Sequence, residues 1–144
     1  MPNLFTIGYE DHATPGSLVA ALRAAGVERL VDVRELPNSR RKGFSKKALA
    51  AALEGGGIAY EHARALGNPH RDLYRAGRLA EGEAAYRAHL KAPAGQETLA
   101  HLESTLDTPT CLLCLEASPA HCHRTIVAEA LRERLAGLEV VDLR

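Results

Sequence analysis

A short segment late in the chain concentrates side chains that can do chemistry. Residues 116–124 read Glu-Ala-Ser-Pro-Ala-His-Cys-His-Arg, and they join a strongly apolar run to a predicted helix beginning at Arg124. The free N–H groups and the dipole of a helix N-terminus attract an anion, and Arg124 adds a guanidinium that can hold it through two hydrogen bonds. That anion is either the Glu116 carboxylate or a bound phosphate or carboxylate. Glu116 is also a candidate general base or acid.

Cys122 and His123 lie in the same loop. A thiol beside histidine and arginine at a helix N-terminus is in surroundings that lower its pKa, so Cys122 is a candidate nucleophile. The other interpretation is a small packing residue that fixes the loop. We place His123 with Arg124 among the residues predicted to bind the anion.

The three cysteines also raise the question of a metal. The spacing Cys111-Leu-Leu-Cys114, followed by Cys122 and His123, suggests zinc. Cys111 and Cys114, however, fall within a predicted strand, where residues three apart point to opposite faces. Because those two thiols do not easily chelate one ion, we predict no metal, and we predict no cofactor.

A second group of polar side chains follows the predicted strand 29–34. Asp32 and Arg34 are two residues apart and share one face, so they can pair with each other or divide across a ligand. Ser39 and Arg40 come next, in a basic loop. We predict that Arg34, Ser39 and Arg40 clamp an anion; the alternative for such a loop is a solvated surface.

Two further side chains stand at predicted strand ends. Tyr9 closes the first strand, and His62 closes the third. Ligands of open parallel sheets bind outside the carboxyl ends of the strands. We therefore predict that Tyr9 contacts the ligand and that His62 acts as an acid or base, with a purely structural histidine as the alternative. Gly8 is predicted to permit a close backbone approach.

These strand ends share one edge only if the strands are parallel. Thr14 and Ser45 are predicted to cap helices. Residues 63–79 show weak periodicity and predict either a functional loop or a helix hidden from the pattern. The predicted strands are 4–9, 29–34, 58–62, 110–115 and 139–143, and the predicted helices are 15–25, 46–54, 82–90, 96–106 and 124–135. This alternation predicts a single α/β domain over residues 1–144, with a mostly parallel sheet of about five strands and helices on both faces.

The composition narrows the functional classes. Lys plus Arg and Asp plus Glu number 18 each in 144 residues, which excludes a globally basic nucleic-acid binder. With 14 arginines against 4 lysines, a local arginine patch is compatible with that balance. Three cysteines argue against a disulfide framework. No apolar stretch approaches the ~20 residues of a membrane span, and the first residues lack a leader pattern, so we predict a cytoplasmic protein without a membrane partner.

Several motifs in series resemble the domain of unknown function 488 family, from about Thr6 to the C-terminus. They are Thr6-Ile7-Gly8-Tyr9; Leu30 to Arg34 with Pro37, Ser39, Arg40 and Phe44; Gly57 to His62 with Leu66-Gly67; and Cys114-Leu-Glu116 with Cys122-His123-Arg124. The resemblance implies no particular reaction, but it implies that the family signature is carried by Tyr9, Arg34, Ser39, Arg40, His62, Cys114, Glu116, Cys122, His123 and Arg124.

A looser likeness connects the chain to rhodanese and Cys-phosphatase α/β domains, through the strand ending in Asp-x-Arg at Arg34. Those enzymes place a cysteine directly after a strand, with an arginine about five residues on. Here Cys122 is too close to Arg124 and Cys114 is too far from it. The likeness therefore implies the fold rather than the sulfur or phosphate transfer.

Two functions of different classes fit these residues. We predict an enzyme that acts on a nucleotide-like or other small anionic substrate. The alternative is a non-catalytic module that binds a nucleotide or a modified nucleic acid, with Arg71, Arg75 and Arg78 adding backbone contacts. Nucleic acid is the less favoured partner, and a domain without any ligand is a third interpretation.

Overall fold

A computed structural model describes residues 3–144 and contains one five-stranded sheet with helices on both faces. Met1 and Pro2, the first residues of the predicted domain, lie outside the described residues. The elements are β1 (Asn3–Gly8), α1 (Pro15–Ala24), β2 (Arg29–Asp32), α2 (Lys46–Gly55), β3 (Ala59–His62), a 3-10 turn (Arg64–Leu66), α3 (Arg71–Arg75), α4 (Leu79–Leu90), α5 (Pro93–Thr105), β4 (Thr110–Cys114), a second 3-10 turn (Pro119–His121), α6 (Arg124–Arg134) and β5 (Glu139–Asp142).

All neighbouring strands run parallel, in the order β3-β2-β4-β1-β5. The last residue of β4, Cys114, pairs with Gly8 of β1, and the residue before it, Leu113, pairs with Asp32 of β2. The carboxyl ends of these three strands therefore lie side by side. The predicted α/β class and parallel sheet are confirmed.

The sheet separates two apolar cores. Helices α1 and α2 pack on one face, and α4, α5 and α6 pack on the other. The central strand β4 is buried throughout and alternates between them: Cys111 and Leu113 face the first core, whereas Leu112 and Cys114 face the second. Burial of one leucine contributes about 1.5–3 kcal/mol, so both faces of this strand stabilise the fold.

The winding of the chain creates a crevice at the end of β4. The chain leaves β1 and β2 for the face covered by α1 and α2, but it leaves β4 for the opposite face, which α6 covers. Loops that diverge from neighbouring parallel strands open a space between them. This space lies beside Cys114, with the ends of β1 and β2 on either side.

The two predicted helix caps behave differently. The Thr14 hydroxyl accepts a hydrogen bond from the Ser17 N–H at 3.1 Å, so Thr14 caps α1 as predicted. Ser45 occupies the N-cap position of α2 as predicted, but its side chain makes no capping hydrogen bond. Its hydroxyl instead accepts the Ser39 N–H at 3.0 Å and donates to the Ser39 oxygen at 3.3 Å. Ser45 thereby holds the basic loop against the start of α2.

The segment of weak periodicity contains a 3-10 turn and the short helix α3. The Asn68 side chain accepts the His70 N–H at 2.8 Å just before α3. Gly77, with φ +76°, ends the helix, and the Arg78 N–H bonds back to the Leu73 oxygen at 2.9 Å. No residue of α3 is buried. Hydrophobic periodicity therefore could not reveal it.

A bilayer crossing needs about 20 residues. Across residues 3–144, no helix combines the length and the apolar character that such a crossing requires.

Candidate functional site

A cleft of about 790 Å³ opens beside the end of β4. Five arginines and one glutamate lie in its wall, so the formal charge of the lining is positive. Its lining comes from the residue after β1, the loop after β2, helix α3, and both sides of the loop between β4 and α6. The lining residues are Tyr9, Arg34, Glu35, Leu36, Asn38, Ser39, Arg40, Arg41, Arg71, Arg75, Cys114, Leu115 and His123.

Arg34 forms the inner wall, and its charge is already paired within the sheet. Its Nη2 donates to the Asp32 carboxylate at 2.7 Å, its Nε donates to the same carboxylate at 2.9 Å, and its Nη1 donates to the Phe44 oxygen at 2.7 Å. Asp32 is fully buried and also accepts the Tyr60 hydroxyl at 2.6 Å. Burial lowers the pKa of Arg34, but Asp32 outweighs it and the net pKa is raised. Burial and the bond to Asp32 both raise the pKa of Tyr60.

Arg41 ties the basic loop to the end of β1. Its Nη1 lies 2.9, 2.8 and 2.7 Å from the backbone oxygens of Tyr9, Glu10 and His12. Its guanidinium also lies 5.7 Å from the centre of the Phe44 ring, which stacks on Tyr9 at 4.7 Å. The loop after β2 is therefore a fixed wall of the cleft.

Ser39 lies in the same wall. Its hydroxyl accepts the Arg41 N–H at 3.1 Å, and its own N–H donates to the Ser45 hydroxyl. Since a hydroxyl carries one donor proton besides its acceptor pairs, the Ser39 proton can still serve a group in the cleft.

Three arginines of the lining have no protein partner. Arg71 and Arg75 are one helical turn apart on α3 and reach the same wall, and Arg40 lies in the basic loop. Within residues 3–144, no hydrogen bond or ion pair engages the guanidinium of Arg40, Arg71 or Arg75. Arg78, which follows α3, instead pairs with Glu81 outside the cleft. Within the described residues, these three guanidinium groups are thus the ones in the cleft wall whose N–H donors are all available to a ligand.

Cys114 and His123, which line the cleft, meet Cys122 beyond the end of β4. His123 Nδ1 lies 3.9 Å from each sulfur, and the three donor atoms lie within 4.8 Å of one another. The opposite ring nitrogen, Nε2, lies 2.7 Å from the Val33 oxygen and must donate to it, because a carbonyl only accepts. In the neutral ring, the Nδ1 lone pair therefore faces the thiols. The ring of Tyr86 packs edge-on against the imidazole at 5.0 Å.

Burial shifts the pKa of two members of this cluster, Cys122 and His123. It raises the pKa of Cys122 well above its ordinary value, and the contact with Cys114 raises it further, while His123 acts in the opposite direction. The lowered pKa expected for a thiol at a helix N-terminus is therefore not found, because desolvation outweighs the local dipole. For His123, burial alone lowers the pKa, but Cys122, the Val33 oxygen and Glu116 outweigh it and the net pKa is raised.

A second cavity, of about 140 Å³, adjoins the cleft at His123. Two oxygens near it, Glu116 Oε2 and the Tyr74 hydroxyl, are buried without a hydrogen-bond partner in the part of the chain that the structure describes. Buried polar atoms are nearly always paired, so both are suited to meet a ligand. Burial, followed by the charges of Glu83 and Cys122, raises the pKa of Tyr74 to about 12. The lining residues are Asn68, Arg71, Tyr74, Arg75, Glu116, Cys122 and His123.

Arg124 lies in the interior and lines neither cavity. It has no exposed surface, and it donates to the backbone oxygens of Glu116 and Ala117, the latter at 3.2 Å. The guanidinium contacts the backbone of Glu116 and not its carboxylate, which was one of the two expected partners. Arg124 instead fixes the backbone of the loop that carries Glu116.

His62 also lies outside both cavities. Its Nε2 donates to the backbone oxygen of Arg34 at 2.7 Å, from the neighbouring strand end. This contact supports the point at which the chain leaves β2.

The predicted site residues thus divide into three groups. Tyr9, Arg34, Ser39, Arg40 and His123 line the cleft, Glu116 and Cys122 line the adjoining cavity, and Arg124 and His62 line neither. The structure also brings in residues from α3 and the turn before it, of which Arg71 and Arg75 were expected only as contacts of the nucleic-acid alternative. The available signal in the sequence was two arginines four positions apart after the turn at Asn68-Pro69. Because no helix was predicted there, the two could not be placed on one helix face. The added residues are Asn68, Arg71, Tyr74 and Arg75.

Of three comparisons with known proteins, one gives a match. Neither the curated proteins nor the solved structures provide a match to the chain. The sequence profile described as Domain of unknown function DUF488 matches residues 15–131. Every predicted site residue except Tyr9 falls within the matched range. The chain therefore belongs to the DUF488 family.

Proposed function

We propose that the cleft binds a small anionic ligand, of the size of a nucleotide, and that the protein is an enzyme acting on it. The observation that carries the proposal is the convergence on one cleft of about 790 Å³ of three arginines without a partner among the described residues, Arg40, Arg71 and Arg75. Ligand pockets commonly have volumes of roughly 300–1,000 Å³. A guanidinium group can donate two hydrogen bonds to the oxygens of a phosphate or carboxylate. An anion with such oxygens would therefore pair with the unused donors of this wall.

The remaining groups suggest a division of roles. Arg40, Arg71 and Arg75 bind the anion, while Arg34 and Arg41, which already have internal partners, keep the wall in place. Tyr9 and Ser39 contribute a ring and a hydroxyl to the same space. Glu116 is the candidate general base, because its Oε2 is buried without a partner beside the cavity that shares Arg71 and Arg75 with the cleft.

Binding can be tested by a thermal-shift screen followed by calorimetry. The screen contains inorganic phosphate, nucleoside mono- and diphosphates, sugar phosphates and dicarboxylates. For a ligand that stabilises the wild type, Arg71→Ala and Arg75→Ala should each weaken binding about 10- to 100-fold, since a charge-assisted hydrogen bond is worth about 1.5–3 kcal/mol. Arg78→Ala is the matched control, because Arg78 is a nearby exposed arginine paired with Glu81. If no compound stabilises the wild type, or if all three variants bind equally, the proposed cleft is wrong.

Catalysis needs a separate measurement. The bound ligand is incubated with the wild type and with Glu116→Gln, and the products are followed by mass spectrometry. Turnover by the wild type, with binding retained but turnover lost in Glu116→Gln, would support the assigned base. If the wild type binds the ligand and leaves it unchanged, the protein is a binding module instead.

One observation favours that second function. Arg40 and Arg75 are exposed at the cleft, where the phosphates of a longer chain can reach them. A nucleic-acid module would bind oligonucleotides with an affinity that falls steeply with salt. Absence of oligonucleotide binding at low salt would exclude this alternative.

A further inference from the structure

The buried cluster of Cys114, Cys122 and His123 is not used in the proposed anion binding. Both cysteines are 4% exposed and His123 is 3% exposed. The donor atoms of the cluster come from the end of β4, from the loop after β4 and from the residue before α6. We propose that these three side chains bind one zinc ion.

The distances between the donor atoms fit such an ion. In tetrahedral zinc sites, Zn–S is about 2.3 Å and Zn–N about 2.0–2.1 Å, which places neighbouring donors roughly 3.5–3.8 Å apart. His123 Nδ1 lies 3.9 Å from each sulfur. The two sulfur–nitrogen distances would have to shorten by only a few tenths of an ångström, and the two sulfurs, which lie within 4.8 Å of each other, would have to close to about 3.8 Å. Two thiolates and one imidazole are also the donor set that zinc prefers.

The imidazole is oriented as a metal ligand is. Metal-binding histidines almost always donate their second ring nitrogen to an oxygen, which fixes the tautomer and the ring. Here Nε2 donates to the Val33 oxygen at 2.7 Å, and the Tyr86 ring packs against the imidazole. Nδ1 consequently presents its lone pair to Cys114 and Cys122.

Without a metal, the cluster is poorly satisfied. Both thiols approach the same Nδ1 lone pair, which can accept only one good hydrogen bond, and 3.9 Å is long for that bond. A zinc ion would engage all three donors at once. With both cysteines as thiolates, the charge of the ion is balanced, so it adds no net charge beside the cleft's arginines.

The cluster also leaves a coordination position open. Cys114 and His123 line the large cleft, and Cys122 and His123 line the smaller cavity with Glu116. Three protein ligands leave the fourth position for water or for an oxygen of a bound anion. This site does not depend on the proposed function, because Arg71 and Arg75 are not among its ligands.

The test uses the full chain, purified under reducing conditions, stripped with a chelator and then reloaded with Zn²⁺ or Co²⁺. We expect one metal ion per chain by elemental analysis, and the absorption bands of tetrahedral, thiolate-bound Co²⁺. Cys114→Ser, Cys122→Ser and His123→Gln should each weaken Zn²⁺ binding at least tenfold. Cys111→Ser is the matched control and should bind like the wild type, because Cys111 faces the opposite core.

A measurement on the wild type alone guards against variants that fail to fold. X-ray absorption of the zinc-loaded chain should show two sulfur ligands and two lighter ones. Substoichiometric zinc after reloading, a coordination shell without sulfur, or unchanged binding in a folded Cys122→Ser would overturn the proposal. Arg71→Ala should retain zinc whether or not it binds anions, so failure of the metal site and failure of the anion cleft are distinguishable.

Discussion

Gly8 packs directly against the backbone of Glu116. A Cβ atom at position 8 would lie 1.7 Å from the Glu116 carbonyl oxygen and 2.9 Å from the Ala117 nitrogen. The expected close approach at Gly8 is therefore made to the protein's own chain. It sets the path of the loop that carries Glu116 towards Cys122, and the Glu10 carboxylate supports it by accepting the Ala117 N–H at 3.1 Å.

Gly8→Ala should be strongly destabilising. The added methyl group would overlap backbone atoms rather than a flexible side chain, so the loop after β4 must move. We expect a loss of more than about 2 kcal/mol in the free energy of unfolding. Urea denaturation followed by circular dichroism measures this loss. Gly16→Ala is the control: the nearest atom to a Cβ there is 3.8 Å away, and a helical alanine should stabilise by up to about 1 kcal/mol. Equal effects at both positions would contradict the packing described.

Asp32→Asn should destabilise the fold by about 3 kcal/mol or more. The substitution removes the charge that pairs with Arg34 at 2.7 Å, and both side chains are buried. A buried arginine left without its counter-charge is costly. Chemical denaturation of the wild type and the variant at neutral pH gives the difference.

The surface pair of Arg78 and Glu81 provides the control for Asp32→Asn. Both side chains are more than half exposed, so Glu81→Gln should cost well under about 1 kcal/mol. If Asp32→Asn costs as little stability as Glu81→Gln, the buried pair of Arg34 and Asp32 does not stabilise the fold in the way proposed here.

Tyr74→Phe should keep or increase stability at neutral pH, by up to about 1–2 kcal/mol, because it removes a buried hydroxyl that has no partner in the described chain. The stability advantage of Tyr74→Phe over the wild type should grow at alkaline pH. The pKa of Tyr74 is raised to about 12 from 10.0, so the proton stabilises the fold below pH 10, and this contribution is lost as the pH rises towards 12. Tyr74→Phe should therefore lose less stability than the wild type over that interval.

Tyr86→Phe is the matched comparison for Tyr74→Phe. The Tyr86 hydroxyl donates to the Leu66 oxygen at 2.6 Å in the interior. Its removal leaves a buried carbonyl unpaired and should cost about 1–3 kcal/mol at neutral pH. Thermal unfolding of both variants measures the difference. If Tyr86→Phe is more stable than Tyr74→Phe, the hydrogen bonding described for the two hydroxyls is wrong.

The three thiols should react slowly in the native, metal-free protein. Cys111 has no exposed surface, and Cys114 and Cys122 are each 4% exposed, so iodoacetamide reaches them only after local opening. We expect alkylation at neutral pH at least about tenfold slower than that of free cysteine, with Cys111 slowest. Peptide mapping after timed quenching gives the individual rates. A Cys122 faster than free cysteine would restore it as a nucleophile.

The fold could be inferred from the sequence because its signals are periodic and local. Apolar runs marked the buried strands, and Thr14-Pro15 marked the start of α1. Helix α3 escaped because it buries no side chain. Ser45 has the residue type of a cap, yet its hydroxyl bonds to Ser39 across a loop, a contact that local sequence does not encode.

Part of the candidate site could also be predicted from the sequence. Strand ends are visible in the sequence, and Tyr9, Ser39, Arg40 and His123 do line one cleft. What the sequence could not reveal is which arginines are already paired. The partners of Arg124, two backbone oxygens, exist only after the loop has folded.

Helix α3 has one more consequence. It supplies Arg71 and Arg75 to the cleft but contributes no side chain to either core. Its outward positions can therefore change in sequence without a large cost in stability, whereas the floor at Cys114 and Arg34 is bound into the sheet. We therefore expect substitutions at Arg71 and Arg75 to change the proposed anion binding while the free energy of unfolding stays close to that of the wild type.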